Sequence, residues 1–244
     1  METMKMKKFA KFLTVLFFCT FRLVSQAQES SLPKGFTTGD NVWIVRTGVS
    51  LNNVSGSGVE ETKAIWMASK GAGEFKNALG GTMSFGLYCP LAPSQFYYGI
   101  NVSTGMRGFR TSTKWKDDIS NMNSQTTRLT AFNAQISPTN VGYIAKISDN
   151  AALDFHVGTF FSCDFAGSVI TEVDYSNNTK NRTSIDINDD EDYEKYDIGV
   201  IGGIGLWINH WGIELNYQRG IATMDKGGVN LYSNKILFTL GYAF

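Results

Sequence analysis

The 244-residue chain has few of the residues that build disulfide frameworks or soluble catalytic sites. It contains three cysteines, four prolines and two histidines. Cys19 lies in the N-terminal segment considered below, which leaves Cys89 and Cys163. We expect these two near opposite ends of the fold. We therefore predict two free thiols, because a disulfide requires Cα atoms within about 7 Å.

An excess of basic residues is also absent. The formal net charge of the whole chain is zero, and residues 1–27 hold five basic residues and one acidic residue. Without them, 17 basic residues stand against 21 acidic ones, a balance of about −4. This excludes the charge pattern of a nucleic-acid-binding protein, and we expect no nucleic-acid partner.

Long apolar runs are missing beyond the N-terminus. A transmembrane helix needs about 20 consecutive apolar residues, and no such run follows residue 27. The first 27 residues have basic residues, an apolar run at 12–24 interrupted by Arg22, and then Ser25-Gln26-Ala27. This is typical of a cleaved secretory signal peptide. Residues 28–41 show no periodicity, and we predict a flexible periplasmic segment there.

Alternation is strongest in the last fourteen residues, 231–244. One face of this segment carries Ile236, Phe238, Leu240, Tyr242 and Phe244. Small or polar residues fall on the other face. Side chains alternate across a strand, so this segment is a strand with one apolar face. An exposed edge strand ending in Phe would invite aggregation in a soluble protein. The pattern favours a closing barrel strand whose apolar face meets lipid, and a soluble sandwich or lipocalin-like barrel is the alternative.

Seven further segments alternate in the same way, and the connections between them alternate between long and short. The sequence therefore predicts an all-β fold, an eight-stranded antiparallel transmembrane β-barrel occupying 42–244, with short periplasmic turns and longer extracellular loops. Pro138 lies inside the fourth segment and predicts a bulge, because proline cannot donate to the ladder. The predicted strands are 42–51, 79–89, 96–107, 128–147, 152–165, 196–208, 212–223 and 231–244, and the long loops are 52–77, 110–126 and 167–195.

Alternation also assigns side chains to the two faces of the barrel wall. An eight-stranded barrel is just wide enough for side chains to fill it, and charges inside must pair because an unpaired buried charge is costly. The predicted polar network of the lumen is Arg46, Asn101, Arg107, Lys146, Asp154, His156, Asp164, Glu214, Asn216, Gln218 and Lys235. The predicted lipid-facing residues are Phe96, Tyr98, Ile100, Phe155, Phe161, Ile213, Leu215, Tyr217, Phe238, Leu240, Tyr242 and Phe244.

At this point the chain resembles a known family, the outer-membrane β-barrel proteins of Bacteroidetes called PorT-like or porin family. The resemblance covers nearly the whole mature chain. It rests on the signal peptide, the stretch YYGINVSTGMRGF at 97–109, the proline-containing fourth strand, GIELNYQRGI at 212–221 and the aromatic end of the last strand. It implies the barrel fold and an integral outer-membrane location with a periplasmic N-terminus. One relative belongs to a secretion system, and the resemblance assigns no catalytic residue.

The leading hypothesis for function is a barrel without enzymatic activity that displays its outer loops. We expect no cofactor and no metal site; the acidic run at 186–194 lacks EF-hand spacing and is expected to be solvated. The expected partners are outer-membrane lipid and lipopolysaccharide, the barrel-assembly machinery through the last strand, and a secretion-system or surface partner.

Two alternatives stay open: a small-conductance porin-like channel, and a lipid-modifying enzyme. Asp154, His156 and Ser162 share the inner face of one strand. However, Ser162 lies about 20 Å from His156 along a strand that rises about 3.3 Å per residue, which excludes a catalytic triad of these three.

Overall fold

The computed structural model describes residues 36, 40–91, 95–115, 121–227 and 229–244. The predicted signal peptide lies outside the described residues, as does most of the predicted flexible segment 28–41. Of the described residues, none belongs to a helix long and apolar enough to span a bilayer. The elements in chain order are β1 Val42–Ser55, α1 Ser57–Ala68, β2 Gly71–Pro90, β3 Phe96–Trp115, β4 Met122–Lys146, β5 Ala151–Tyr175, β6 Lys180–Asp186, β7 Tyr196–Ile208, β8 Trp211–Thr223 and β9 Tyr232–Ala243.

Eight of the strands form a closed antiparallel ring. The sheet order is β4-β3-β2-β1-β9-β8-β7-β5, and β4 also pairs with β5, which closes the ring. The first and last strands pair from Ile44 opposite Ala243 to Ser55 opposite Tyr232. The predicted eight-stranded barrel is therefore confirmed. A ninth strand, β6, lies outside the ring and pairs with β5 alone.

Alternation separates two environments along the ring strands. On β8, Ile213, Leu215 and Tyr217 are exposed on the outside, whereas Glu214 and Asn216 between them are buried in the lumen. Since side chains have period two along a strand, the same division repeats on the other strands. The result is an apolar outer belt around a largely polar interior, the reverse of a soluble barrel.

Pro138 lies at an irregularity of the ladder, as its inability to donate requires. The β4–β5 register shifts between the Ile136 and Val141 pairs, and the β3–β4 register shifts between the Gly99 and Asn101 pairs. The Tyr98 hydroxyl donates to the Pro138 carbonyl oxygen. The predicted bulge is confirmed, and a side chain from the neighbouring strand satisfies a carbonyl that the bulge displaces from regular pairing.

The two ends of the barrel differ in how the strands are joined. At one end, here called the short-turn end, β4 joins β5, β7 joins β8, and β2 joins β3 through short connections. At the other, the hairpin end, β4 and β5 have 25 residues each and β2 and β3 have 20. A tilted membrane strand needs about 9–11 residues, so these four strands extend far beyond the apolar belt.

The predicted long loops are therefore wrong in their secondary structure. Residues 110–115, 122–126 and 168–175 continue β3, β4 and β5, and 180–186 form β6. These segments are rich in Ser and Thr, so they lack the apolar alternation that marks the ring strands. Cross-strand pairs hold them instead, including Thr127 with Thr171 at 3.2 Å and Ser124 with Asp174 at 3.2 Å.

Helix α1 replaces the middle of the predicted loop 52–77. It follows Gly56, whose φ of 123° suits a residue without a side chain. Within it, Lys63 pairs with Glu60 three residues earlier at 3.0 Å, which supports a helix. Its Trp66 ring lies 5.6 Å from that of Phe75. This contact packs the helix against the extended β2 at the hairpin end.

Candidate functional site

An apolar cluster closes the lumen at the short-turn end. Trp207 and Ile44 are fully buried there, and Tyr88 and Tyr97 stack with ring centroids 4.0 Å apart. Phe36 packs against the cluster, with its ring 5.4 Å from that of Trp207. The other members, Val42, Ile144, Ala152 and Ala243, are buried as well. We call this group the short-turn plug.

Beyond the plug lies a first ionic network built on β1 and β8. The Arg46 guanidinium donates from Nε to both carboxylate oxygens of Glu214 at 2.8 Å, and from Nη1 to Asn101 Oδ1 at 3.2 Å. Its Nη2 donates to the Tyr88 hydroxyl. Both partners of the ion pair are nearly inaccessible to solvent. A buried pair with several supporting hydrogen bonds is the arrangement that such charges need.

His156 joins this network through both ring nitrogens. Its Nδ1 lies 3.2 Å from Asp154 Oδ2, and its Nε2 lies 2.6 Å from Asn216 Oδ1. The Asn216 amide nitrogen lies 3.5 Å from Glu214 Oε2, which turns its oxygen toward the histidine. Two acceptors facing two ring nitrogens suit a doubly protonated imidazole. Tyr97 donates to the other oxygen of Asp154 at 2.8 Å.

A small polar cavity occupies the middle of the lumen. The cavity has a volume of about 60 Å³ and is lined by Ser84, Ser103, Ser137, His156 and Gln218 among others. About 10–15 Å³ of such space holds one water, so the cavity has room for several waters. A drug-sized ligand, which needs several hundred Å³, does not fit.

A second ionic network lies toward the hairpin end. Arg107 donates to Asp164 Oδ2 from Nη2 at 2.5 Å and to Asp197 Oδ2 from Nη1 at 3.1 Å. Tyr193 accepts from the same guanidinium at 3.0 Å and donates to Asp164. Lys235 is buried within electrostatic range of both aspartates. Both networks contain two cations and two carboxylates, with His156 counted as a cation, so each is close to neutral.

The hairpin end is closed by a second apolar cluster, here called the hairpin cap. Ile187 is fully buried in it, together with Leu129, Val59 of α1 and Met224. The segment between β6 and β7 is joined to the segment between β8 and β9 by backbone hydrogen bonds from Glu194 N to Met224 O and from Lys226 N to Asp192 O. Its Tyr193 is 6 % exposed, and this burial raises the pKa of the phenol. The lumen is thus occluded at both ends.

The structure places the predicted lumen residues in these networks or, for Gln218, in the lining of the cavity, with one exception. Lys146 lies at the short-turn rim, where it is exposed and pairs with Asp149 at 2.9 Å. Its hydrogen bond and charge lower the pKa of the Asp149 carboxyl. The prediction was wrong because alternation gives the face of a strand but not the depth, and Lys146 is the last residue of β4.

One predicted lipid-facing residue also differs. Tyr242 has the outward parity of its strand but is only 4 % exposed. The rings of His210, Trp211 and Phe244 lie 5.6, 5.1 and 5.0 Å from it and cover it at the short-turn rim. Tyr98 is half-buried, because its hydroxyl turns to Pro138. The other predicted outer residues are exposed: Phe96, Ile100, Phe155, Phe161, Ile213, Leu215, Tyr217, Phe238, Leu240 and Phe244.

Sequence reasoning missed several lumen residues. Asp197 and Tyr88 have inward parity, and a search for every polar residue on the inner faces would have found them. Tyr193 lies in a connecting segment, where period-two reasoning has no force. The predicted free thiols Cys89 and Cys163 are confirmed. Among the described residues no cluster of His, Cys, Asp or Glu is arranged to hold a metal ion.

A comparison with protein families decides what this barrel is related to. The family described as "Outer membrane protein beta-barrel domain" matches residues 26–226. The chain belongs to this outer-membrane β-barrel family. It is therefore an integral outer-membrane barrel.

Similar solved structures are outer-membrane barrels too, at low identity. Ail, the attachment invasion locus protein of Yersinia pestis, is 10 % identical over 84 % of this chain and 99 % of its own, with a TM-score of 0.33. Neisserial surface protein A is 11 % identical over 83 % and 97 %, with a TM-score of 0.36. OprG from Pseudomonas aeruginosa is 9 % identical over 84 % and 97 %, with a TM-score of 0.35. No curated protein matches the chain.

In this outer-membrane family member, strands continue beyond the membrane belt at the hairpin end as a sheet. The extended ends of β2, β3, β4 and β5, with β6 at the edge, form a five-stranded surface on one side of the hairpin end. We call it the hairpin platform. Charge pairs brace its edge, with Lys180 to Asp174 at 3.2 Å and Arg182 to Glu172 at 3.6 Å.

Proposed function

We propose that this protein is a closed outer-membrane barrel without enzymatic activity whose work is to present the hairpin platform at the cell surface to a macromolecular partner. The observation that carries the proposal is the contrast between the two parts of the molecule. The lumen is filled and occluded at both ends, whereas four strands continue beyond the belt into an ordered sheet.

The proposed orientation places the short turns and the N-terminus in the periplasm and the hairpin platform outside. The unequal lengths of the connections support it, because outer-membrane barrels have short periplasmic turns and longer outer loops. A role accessory to a secretion system, which the PorT-like resemblance implies, is a narrower form of the same proposal.

The absence of an enzymatic role is supported by the state of His156. Asp154 and Asn216 occupy both of its ring nitrogens, so neither is left to take a proton from a serine hydroxyl. The residue also lies in a lumen that the short-turn plug and the hairpin cap separate from substrate. A lipid-hydrolysis assay that detects activity in the wild type, and loses it in His156→Ala, would overturn this part.

The channel alternative is tested by conductance. Refolded protein in a planar bilayer is expected to give no steady channels, because two apolar clusters and two ionic networks lie in series along the lumen. A matched variant, Ile187→Gly with Met224→Gly, removes two side chains of the hairpin cap. It serves as the control that shows whether the assay detects an opened lumen. Steady wild-type channels that Glu214→Gln alters would favour the pore.

Orientation is tested by cysteine labelling in intact Gram-negative cells that express a Cys89→Ser, Cys163→Ser background. Asn177→Cys at the tip of the β5–β6 hairpin should react with an impermeant maleimide, and Ser148→Cys in the short turn should react only after lysis. The opposite result would mean that the platform faces the periplasm.

A further inference from the structure

Three cations form a row across neighbouring strands on the outer face of the hairpin platform. Lys76 of β2 is directly opposite Arg110 of β3, and Arg110 is directly opposite Arg128 of β4. Neighbouring strands lie about 4.8 Å apart, so three positive groups stand side by side. Like charges directly opposite each other destabilise a sheet. The row therefore has a cost that the fold itself does not explain.

The packing of the residues next to them in sequence shows that these three side chains face outward. Phe109 and Leu129, the residues next to Arg110 and Arg128, pack in the hairpin cap. Because successive side chains point to opposite faces, the two arginines point away from the lumen. Lys76 follows Phe75, which packs against the same cap, and it shares their face.

Among the described residues, the carboxylates near the row pair with Lys76 or with Arg182, and not with the two arginines. Lys76 pairs with Glu74 at 2.5 Å, and Glu172, on β5, is engaged by Arg182. Within the described ranges, neither Arg110 nor Arg128 has an ion pair, and Arg110 Nε is buried without a hydrogen-bond partner. A guanidinium nitrogen shielded from water and unbonded is costly. Within the part of the chain that the structure describes, neither arginine thus has a carboxylate partner.

The height of the row relates it to the bilayer surface. Phe165 is the last exposed large apolar residue of β5 below it, and Ile170, which is opposite Arg128, lies five residues farther. Five residues rise about 16 Å along a strand, or about 11 Å above the belt for a strand tilted by about 45°. Arginine side chains can extend down from there to the headgroups.

We propose that Arg110 and Arg128, with Lys76, form a binding site for the phosphorylated headgroup of a lipid in the leaflet beside the hairpin end. Guanidinium groups donate in pairs to phosphate oxygens, which would supply an anionic partner for each arginine and remove the self-repulsion of the row. The site depends on the proposed orientation only for which leaflet provides the lipid.

The test is a titration of purified protein in uncharged detergent, read by native mass spectrometry. The probes are bisphosphorylated lipid A, the same lipid A after dephosphorylation, and inorganic phosphate. The wild type should bind the phosphorylated lipid A at least about tenfold more tightly than either of the others. Equal binding of the dephosphorylated lipid would overturn the site, and equally tight binding of inorganic phosphate would overturn its assignment to a lipid.

The variant Arg110→Gln with Arg128→Gln should weaken binding of phosphorylated lipid A by about tenfold. The control Lys114→Gln with Lys180→Gln removes the same charge from the platform farther from the belt, and should change binding by less than about twofold. Heat-modifiable gel migration establishes folding for each. Equal binding by the two double variants contradicts the proposal, whatever the outcome of the labelling and conductance tests.

A second measurement uses the repulsion within the row. In uncharged detergent without anionic lipid, Arg128→Gln should leave the thermal midpoint unchanged or raise it, because it removes a like-charge contact. With phosphorylated lipid A present, the wild type should gain more thermal stability than the variant. A variant that is less stable without lipid would mean that Arg128 has a structural role in the sheet, and would overturn the proposal.

Discussion

At the scale of single residues, the Arg46–Glu214 pair illustrates what holds the lumen in one arrangement. Removing one partner leaves a buried charge without its counter-ion, which costs about 3–5 kcal/mol. Glu214→Leu should therefore lower the free energy of unfolding by about that amount, measured by urea titration in lipid vesicles. Replacing both partners, Arg46→Met with Glu214→Leu, should recover most of the loss.

The control for this cycle is Arg219→Ala on the same strand, where the arginine is exposed and only a 3.4 Å contact with Asn234 is lost. Its effect should stay within about 0.5 kcal/mol. If the double variant were as unstable as Glu214→Leu alone, charge would not be what the pair contributes.

The adjacent glycines Gly202 and Gly203 give a second residue-scale prediction. A Cβ on Gly203 would lie 2.0 Å from Asn216 Oδ1 and 2.7 Å from His156 Nε2, whereas one on Gly202 would meet nothing closer than 3.6 Å. Gly203→Ala should break the Asn216–His156 bond and destabilise the barrel by about 1–3 kcal/mol. Gly202→Ala, on the outer face, should be close to neutral in the same unfolding assay. Equal effects of the two would contradict the packing described for the lumen.

At the scale of elements, the ring strands were predictable because one face of each meets lipid and the other meets polar groups. On β8 this produces uninterrupted alternation from Ile213 to Tyr217. The outer ends of β3, β4 and β5 carry polar residues such as Thr111, Thr126 and Thr171 in place of an apolar outer face, so their sequence shows no apolar alternation. Helix α1 has no capping side chain and depends on Trp66, a tertiary contact that sequence periodicity does not reveal.

The hairpin platform should be separable from the ring. Joining Val169 to Ile185, which are register partners, through an Asn-Gly turn removes residues 170–184. The ladder of β5 with β7 runs from Ala151 to Cys163 and is untouched, so the trimmed barrel should fold, resist unfolding in cold detergent and keep its heat-modifiable migration.

The contrasting change is deletion of Val200 within β7. One missing residue moves every later side chain of the strand to the opposite face, so this variant should not fold. If trimming the β5–β6 hairpin were as damaging as this deletion, the platform would be part of what holds the ring together.

At the scale of the whole molecule, the apolar outer face of the ring and the paired charges of its lumen depend on each other. The apolar belt faces lipid, so its residues do not form a core inside the ring. The lumen of an eight-stranded ring leaves space only for side chains and a few waters. Arg46, Arg107, Asp154 and Asp164 therefore form the core of the protein together with the short-turn plug and the hairpin cap. The hairpin platform lies outside this core, and we propose that it is the part that meets other molecules.

The most direct test of this account is spin-label accessibility along four consecutive positions of β4 in lipid vesicles, in the Cys89→Ser, Cys163→Ser background. Ala134 and Ile136 face outward, and Gln135 and Ser137 line the central cavity. The account predicts high exposure to oxygen at 134 and 136, and low exposure to both oxygen and a water-soluble nickel reagent at 135 and 137. Loss of this alternation, or outward labels more accessible to nickel than to oxygen, would contradict a barrel whose apolar face is dissolved in the bilayer.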